Sequence, residues 1–219
     1  IKDNKMRKLI SLISLVFFFT AMTVKADTIG VGITGAVHYI MADGTEQTRQ
    51  SNENNSGDHN ELVAIPEIFV ETITDEATLG ISYIPTRDMG SESRSDSNSD
   101  GDTGTYKAKA ELDNVIQIYA DIPANQVMGY QAHVKIGIQH ATVNTLESLN
   151  SGSAYPNQDI WGMTLGYGVS GDLPYGDSLY YKGELTYTRF EDYKAQAAGN
   201  KVTADLEDLA AKFSIGKKF

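Results

Sequence analysis

The chain has 219 residues, with 18 Lys and Arg against 29 Asp and Glu for a net charge of −11, and it contains no cysteine. So acidic a surface repels phosphate backbones and excludes nucleic acid as a partner, while the missing thiols exclude disulfides, thiolate metal sites and a cysteine nucleophile. Hydrophobic residues are 41% of the chain and mean hydropathy is −0.30, too polar for a bundle of membrane helices.

The first element is an apolar run, Leu9 to Phe19, preceded by Arg7 and Lys8 and followed by Val24, Lys25 and Ala26. Basic flank, short apolar centre and small or modest side chains at the cleavage positions read as a secretory signal peptide. Residues 1–26 are therefore assigned to the signal, with Ile1 to Lys5 as a short extension ahead of Met6. Residues 27–219 then form one domain. Losing five basic residues and one acidic one takes its net charge to −15.

From Asp27 onward the chain alternates with period two, and the fold class expected is all-β. The first predicted strand, Ile29 to Met41, sets Ile29, Val31, Ile33, Val37, Tyr39 and Met41 against Gly30, Gly32, Thr34, Ala36 and His38. A globular strand averages about five or six residues, and a membrane-spanning strand needs roughly nine to eleven. The second, Glu61 to Ile73, opposes Ile68 and Val70 to Glu67, Phe69 and Glu71, and the third, Thr78 to Pro85, opposes Leu79, Ile81 and Tyr83 to Gly80 and Ser82. The fourth, Tyr106 to Ala120, places Tyr106, Ala108, Ala110, Leu112, Ile116 and Ile118 opposite Lys107, Lys109, Glu111, Asp113 and Gln117. The fifth, Val127 to Ala141, separates Met128, Tyr130, Val134, Ile136 and Ile138 from Gln131, His133, Lys135 and Gln139. In the sixth, Ile160 to Val169, Trp161, Met163, Leu165 and Tyr167 oppose Gly162, Thr164, Gly166 and Gly168. The seventh, Ser178 to Arg189, has Leu179, Tyr181, Leu185 and Tyr187 against Tyr180, Lys182, Glu184 and Thr186. The last, Val202 to Phe219, sets Leu209, Ala211, Phe213 and Ile215 against Asp208, Ala210, Lys212 and Ser214.

About eight strands result, an even number, which closes an antiparallel up-and-down barrel with no edge left open. Short turn-rich links at 74–77, 121–126 and 170–177 alternate with predicted long loops at 42–60, 86–105, 142–159 and 190–201. That segregation is the mark of a transmembrane barrel with short turns on one side and long loops on the other. Alternation alone leaves open which face turns outward. Tyrosines near strand ends on the apolar face, and small or oppositely charged residues on the polar face, favour lipid outside and a charge-filled lumen.

The end of the chain resembles the terminal-strand signal of outer-membrane proteins, with Leu209, Ala211, Phe213, Ile215 and Phe219 at every second position and Lys217 departing from it. The whole of 27–219 is similar in architecture to the small OmpA-, OmpX- and OmpW-like barrels. The resemblance implies a Gram-negative outer-membrane location, contact with membrane lipid and lipopolysaccharide, and recognition by the outer-membrane assembly machinery through Phe213, Ile215 and Phe219.

The candidate lumen charges are Glu67, Glu71, Lys107, Lys109, Glu111, Asp113, Lys135, Lys182 and Glu184. They either line a narrow path for small solutes or ions, or pair into a plug. An eight-stranded interior is only wide enough for side chains, which favours the plug. Asp96, Asn98 and Asp100 match the opening of a calcium loop, but Lys107 stands at the twelfth position in place of glutamate, so a solvated acidic loop is the simpler reading. His140 and Thr142 resemble the His-x-Ser element of lipid A deacylase barrels, with Thr in place of Ser and no orienting carboxylate identified. The expectation is a non-enzymatic barrel without cofactor, presenting long acidic loops for surface interaction, with a porin-like channel as the alternative.

Overall fold

The computed structural model of the chain describes residues 28–47, 54–97, 103–148, 155–174, 178–197 and 200–219. The predicted signal peptide lies outside these residues. Ten strands are formed: β1 (Thr28–Gln47), β2 (Asn54–Ile73), β3 (Thr78–Ile84), β4 (Arg87–Ser97), β5 (Thr103–Pro123), β6 (Gln131–Ser148), β7 (Gln158–Asp172), β8 (Leu179–Phe190), β9 (Tyr193–Ala197) and β10 (Asn200–Lys218). β3 and β4 are two halves of one wall strand interrupted at Pro85 and Thr86, and both pair with β5. β8 and β9 are likewise two halves that both pair with β10. The wall is thus a ring of eight, every neighbour antiparallel, closed by β1 against β10 from Gly30↔Lys218 to Gln47↔Lys201.

Period-two alternation decides which side chains face out. On β1, Ile29, Val31, Ile33, Val37 and Tyr39 are exposed while Thr34, Ala36 and His38 are buried. The same split places Ile68, Val70, Ile81, Ile118, Leu165, Leu185 and Phe213 on the outer wall and Glu67, Glu71, Gln117, Thr164, Glu184 and Lys212 inside. Eleven residues from Ile29 to Tyr39, at ~3.3 Å each and tilted by about 40°, rise roughly 28 Å, close to the apolar band of a bacterial barrel. Tyr130, Tyr181 and Phe213 form an aromatic chain on the wall, with centroid spacings of 6.4 and 6.5 Å.

Four expectations need correction. The segments predicted as long loops are mostly strand: β1 runs to Gln47, β2 starts at Asn54, β4 occupies Arg87–Ser97, and β6 runs to Ser148. The outer face of these extensions meets water in place of lipid, so the apolar alternation that marks a membrane strand disappears while the backbone ladder continues, with Met89, Val143 and Tyr193 still buried on the inner face. The fifth predicted strand starts late, because Val127 and Tyr130 bridge each other around a turn with Met128 and Gly129 at φ of 54° and 86°. The fourth predicted strand changes face. Asn114, at φ 51°, lies in a β-bulge that shifts the β5–β6 register between Asp113 and Ile116. Below the bulge Gln117 and Tyr119 point inward; above it Leu112 does, so the charges next to it turn outward. Finally, the lumen is not filled by charge alone.

Above the polar interior, toward the ends of β1 and β2 that meet at Gln47 and Asn54, Ile40, Ile84, Met89, Leu112, Val115, Ile160, Phe190 and Leu206 form a buried apolar layer inside the barrel. Each such side chain contributes about 1.5–3 kcal/mol by leaving water.

Candidate functional site

The buried polar side chains gather into two clusters with a neutral belt of hydroxyls and amides between them. The cluster nearest the short turns draws on β2, β5, β6 and β8. Lys182 Nζ lies 2.6 Å from Glu71 Oε2 and 3.2 Å from Asp121, and Lys135 Nζ lies 2.9 Å from Asp121 and 3.1 Å from Glu184. His133 Nε2 is 2.9 Å from Glu184. Tyr119 and Tyr180 both donate their hydroxyls to Glu71, at 2.6 and 2.7 Å. Lys135 also stands 3.4 Å above the Tyr119 ring centroid. Charges of opposite sign in a water-poor interior are tolerable only when paired in this way.

Glycines make the room. A β-carbon on Gly80 would lie 2.3 Å from Tyr119 Cζ, and one on Gly216 would lie 2.4 Å from Tyr180 Cζ. The small inward residues of β3 and β10 are therefore the seats of the two rings that hold Glu71.

In the belt, Gln117 and Gln139 each donate to Thr164, at 3.1 and 3.2 Å, Gln139 also donates to Thr188 at 3.1 Å, and the two threonine hydroxyls are 2.8 Å apart. Higher up, His38, Glu67, Arg87, Asp208 and Lys212 form the second cluster. His38 Nδ1 is 2.9 Å from Asp208 Oδ2 and 3.0 Å from Arg87 Nη1, and its Nε2 is 3.3 Å from Glu67 Oε1. Arg87 Nη2 reaches Asp208 Oδ2 at 3.1 Å, and Lys212 Nζ reaches Glu67 Oε1 at 2.7 Å. Two carboxylates face two fixed cations, so this cluster is neutral when His38 is.

Of the predicted lumen charges, Glu67, Glu71, Lys135, Lys182 and Glu184 lie in these clusters. Lys109, Glu111 and Asp113 do not. The bulge at Asn114 puts them on the outer surface, where Lys109 bridges Asp88 and Glu111 at 2.8 and 2.7 Å. Thr86 donates its hydroxyl to Asp113, which holds that carboxyl below its ordinary range. Lys107 pairs through its backbone with Ser93 and Ser148, and its side chain lies outside the described residues. So do Asn98, Asp100 and the side chain of Asp96, whose backbone sits in β4 opposite Gly104.

The predicted set omitted Arg87, Asp121, His133, Asp208, Lys212 and His38. All but Arg87 and Asp121 sit on faces whose polar alternation was legible; Asp121 and Arg87 fell in segments read as links. His140 and Thr142 point outward from β6: His140 packs edge-on against Trp161 at 4.8 Å, and Thr142 donates to Asp159 at 2.8 Å. Asp121, His133 and Glu184 place ligand atoms within 4.8 Å of one another, but the ammonium of Lys135 lies against both carboxylates. That arrangement already neutralises them with a lysine.

An apolar wall turned outward around a paired, charged interior is the inside-out arrangement of a transmembrane β-barrel of the outer-membrane class. No family model matches the sequence, and no curated protein sequence matches it. Among solved structures the chain is similar to the outer membrane protein AlkL, studied by solid-state NMR in DMPC lipid bilayers, with TM-score 0.52 and 9% identity over 88% of this chain and 90% of that one. It is also similar to the outer membrane protein OprG from Pseudomonas aeruginosa, with TM-score 0.50 and 10% identity over 86% of this chain and 96% of that one. At such identity the likeness is one of fold, and the fold is that of the small bacterial outer-membrane barrels.

Proposed function

We propose that the protein is a non-conducting outer-membrane barrel with a structural and surface-interaction role, whose wall anchors in lipid and whose strand extensions carry acidic surface beyond it. The observation that supports this reading is the apolar layer inside the barrel, where Ile40, Ile84, Leu112 and Ile160 are no more than 1% exposed. A hydrated ion crossing that layer loses its water with no polar group to replace it. Below it the charges are spent on one another.

Above the belt the outer face carries Asp43, Asp58, Glu111 and Asp159, a surface suited to cationic or hydrogen-bonding partners and to lipopolysaccharide bridged by cations. Phe213 and Ile215 on the outer face of β10, with Phe219 just past its end, are the residues proposed to meet the assembly machinery. Planar-bilayer recording of the purified chain tests the reading: the expected result is no resolved single-channel event, and discrete openings in the unsubstituted protein overturn it in favour of a narrow pore.

A further inference from the structure

We propose that β4 is a flap on the barrel wall, latched by Arg87 to the His38–Asp208 pair and released when His38 takes a proton.

Three features of the wall make a flap. Among the described residues β4 has one ladder partner, β5; the β2–β3 ladder stops at Ile68↔Tyr83, and no ladder joins the outer half of β2 to β4. β1 and β2, by contrast, are joined from Thr28↔Ile73 to Gln47↔Asn54, while β9, like β4, has one ladder partner among the described residues, β10. Both strands of the β4–β5 hairpin are irregular at one level: Pro85 and Thr86 break the wall strand just before Arg87, and the Asn114 bulge lies in β5 beside them. Proline supplies no backbone donor and a bulge bends its strand, so this is where the hairpin is least constrained. On the β2 side, β4 is met by a side chain: a β-carbon on Gly90 would lie 1.9 Å from His59 Nε2, so the imidazole rests on the bare backbone.

The latch follows from the acceptors Arg87 needs. Its guanidinium is always charged and offers only donors. It is 1% exposed and reaches Asp208 Oδ2 at 3.1 Å and His38 Nδ1 at 3.0 Å. Nδ1 accepts only from a neutral ring carrying its proton on Nε2, the nitrogen that lies 3.3 Å from Glu67 Oε1. The charged groups facing His38 are Glu67 from β2, Arg87 from β4, and Asp208 and Lys212 from β10, and they sum to zero. A second ring proton removes the acceptor, turns Nδ1–H onto Asp208 at 2.9 Å, and sets a third cation against two carboxylates. His38, Glu67, Asp208 and Lys212 sit on strands laddered on both edges. Arg87 sits on the strand that is not, so Arg87 is the group that leaves.

The experiment uses the absence of native cysteine. Nitroxide labels on Asn60→Cys in β2 and Ser91→Cys in β4, in the full chain in lipid nanodiscs, report the β2–β4 distance by pulsed electron resonance. Readings are taken at about pH 8 and about pH 5. The expected result is one short distance at high pH and an added longer population at low pH. His38→Gln, whose amide oxygen still accepts from Arg87, stays short at both, and Arg87→Met is long at both. Amide exchange on the unsubstituted chain gives a second readout that survives a folding failure of either variant: β4 loses protection at low pH and β1 does not. A distance and exchange pattern indifferent to pH, or a pH response that persists in His38→Gln, overturns the proposal.

Discussion

The Tyr119 hydroxyl donates to Glu71 across a distance of 2.6 Å, and its ring occupies the space in which Gly80 would carry a β-carbon. Gly80 is the ladder partner of both Glu71 and Tyr119, so Gly80→Ala acts on that pair from between them. The new methyl displaces the ring, and a buried carboxylate loses one of its donors. The expected cost is about 1–3 kcal/mol, from overpacking and an unmade hydrogen bond. Urea unfolding of the barrel in lipid measures it. Tyr119→Phe should cost a similar amount, and the two together less than their sum, since both remove one hydrogen bond.

Lys182 and Glu71 stand 2.6 Å apart with side chains 6% and 1% exposed. Removing one partner leaves an uncompensated charge away from water, for which about 3–5 kcal/mol is typical. Lys182→Met should thus weaken the barrel severely, and Lys182→Met combined with Glu71→Gln should restore most of the loss. If the double variant is no better than the single one, the pair is not an isolated unit, and Asp121, 3.2 Å from the same ammonium, carries the coupling.

Leu112 distinguishes the alternation read straight through β5 from the bulged strand. Unbroken period two puts Leu112 on the outer wall; the bulge makes it fully buried in the apolar layer. Leu112→Ala should then cost about 2–5 kcal/mol, as for other core truncations. Leu146→Ala, at a half-exposed position on β6, should stay within about 0.5 kcal/mol. Equal effects would return Leu112 to the surface.

The wall was legible in sequence because lipid on one side and packed side chains on the other force a strict alternation, as from Ile29 to Tyr39. Three features escaped it. In β5 the pattern alternates on both sides of Asn114, so the only trace of the face change is the adjacent apolar pair Val115 and Ile116. Arg87 lies in a stretch whose two faces both carry polar residues, and nothing local separates such a strand from a loop. The apolar layer needs both errors undone before Leu112, Met89 and Val115 are seen to share the interior with Ile40 and Phe190. Ion pairing was foreseeable only as a principle, since the choice of Asp208 for Arg87 and Asp121 for Lys135 is made by the ring closure of distant strands.

Asn114 holds a left-handed conformation at φ 51° that costs roughly 1–2 kcal/mol for most side chains and least for Gly or Asn. Asn114→Gly should leave stability within about 0.5 kcal/mol, and Asn114→Val should lose about 1–2 kcal/mol. Deleting Asn114 goes further. Asn114 and Val115 together stand opposite Ala141 alone, so removing one residue restores plain alternation with Leu112 and Val115 still inward and Lys109, Glu111 and Asp113 still outward. The deletion should therefore fold and keep its heat-modifiable gel shift.

Lys109 reports the same outward placement by titration. Its ammonium hydrogen-bonds Asp88 first and Glu111 second, at 2.8 and 2.7 Å, and these contacts push it up to about 12. A folded value raised above the unfolded one means that the contacts stabilise the chain fully below about pH 10.5 and lose that contribution as the pH climbs through about 12. Asp88→Asn removes the larger cause, so the side-chain titration of Lys109, followed by its carbon-13 shift, should move down toward the ordinary lysine value. Glu71→Gln, deep in the lumen, should leave it unchanged. A Lys109 that ignores Asp88 and follows a lumen substitution would place it inside the barrel and remove the bulge from the account of β5.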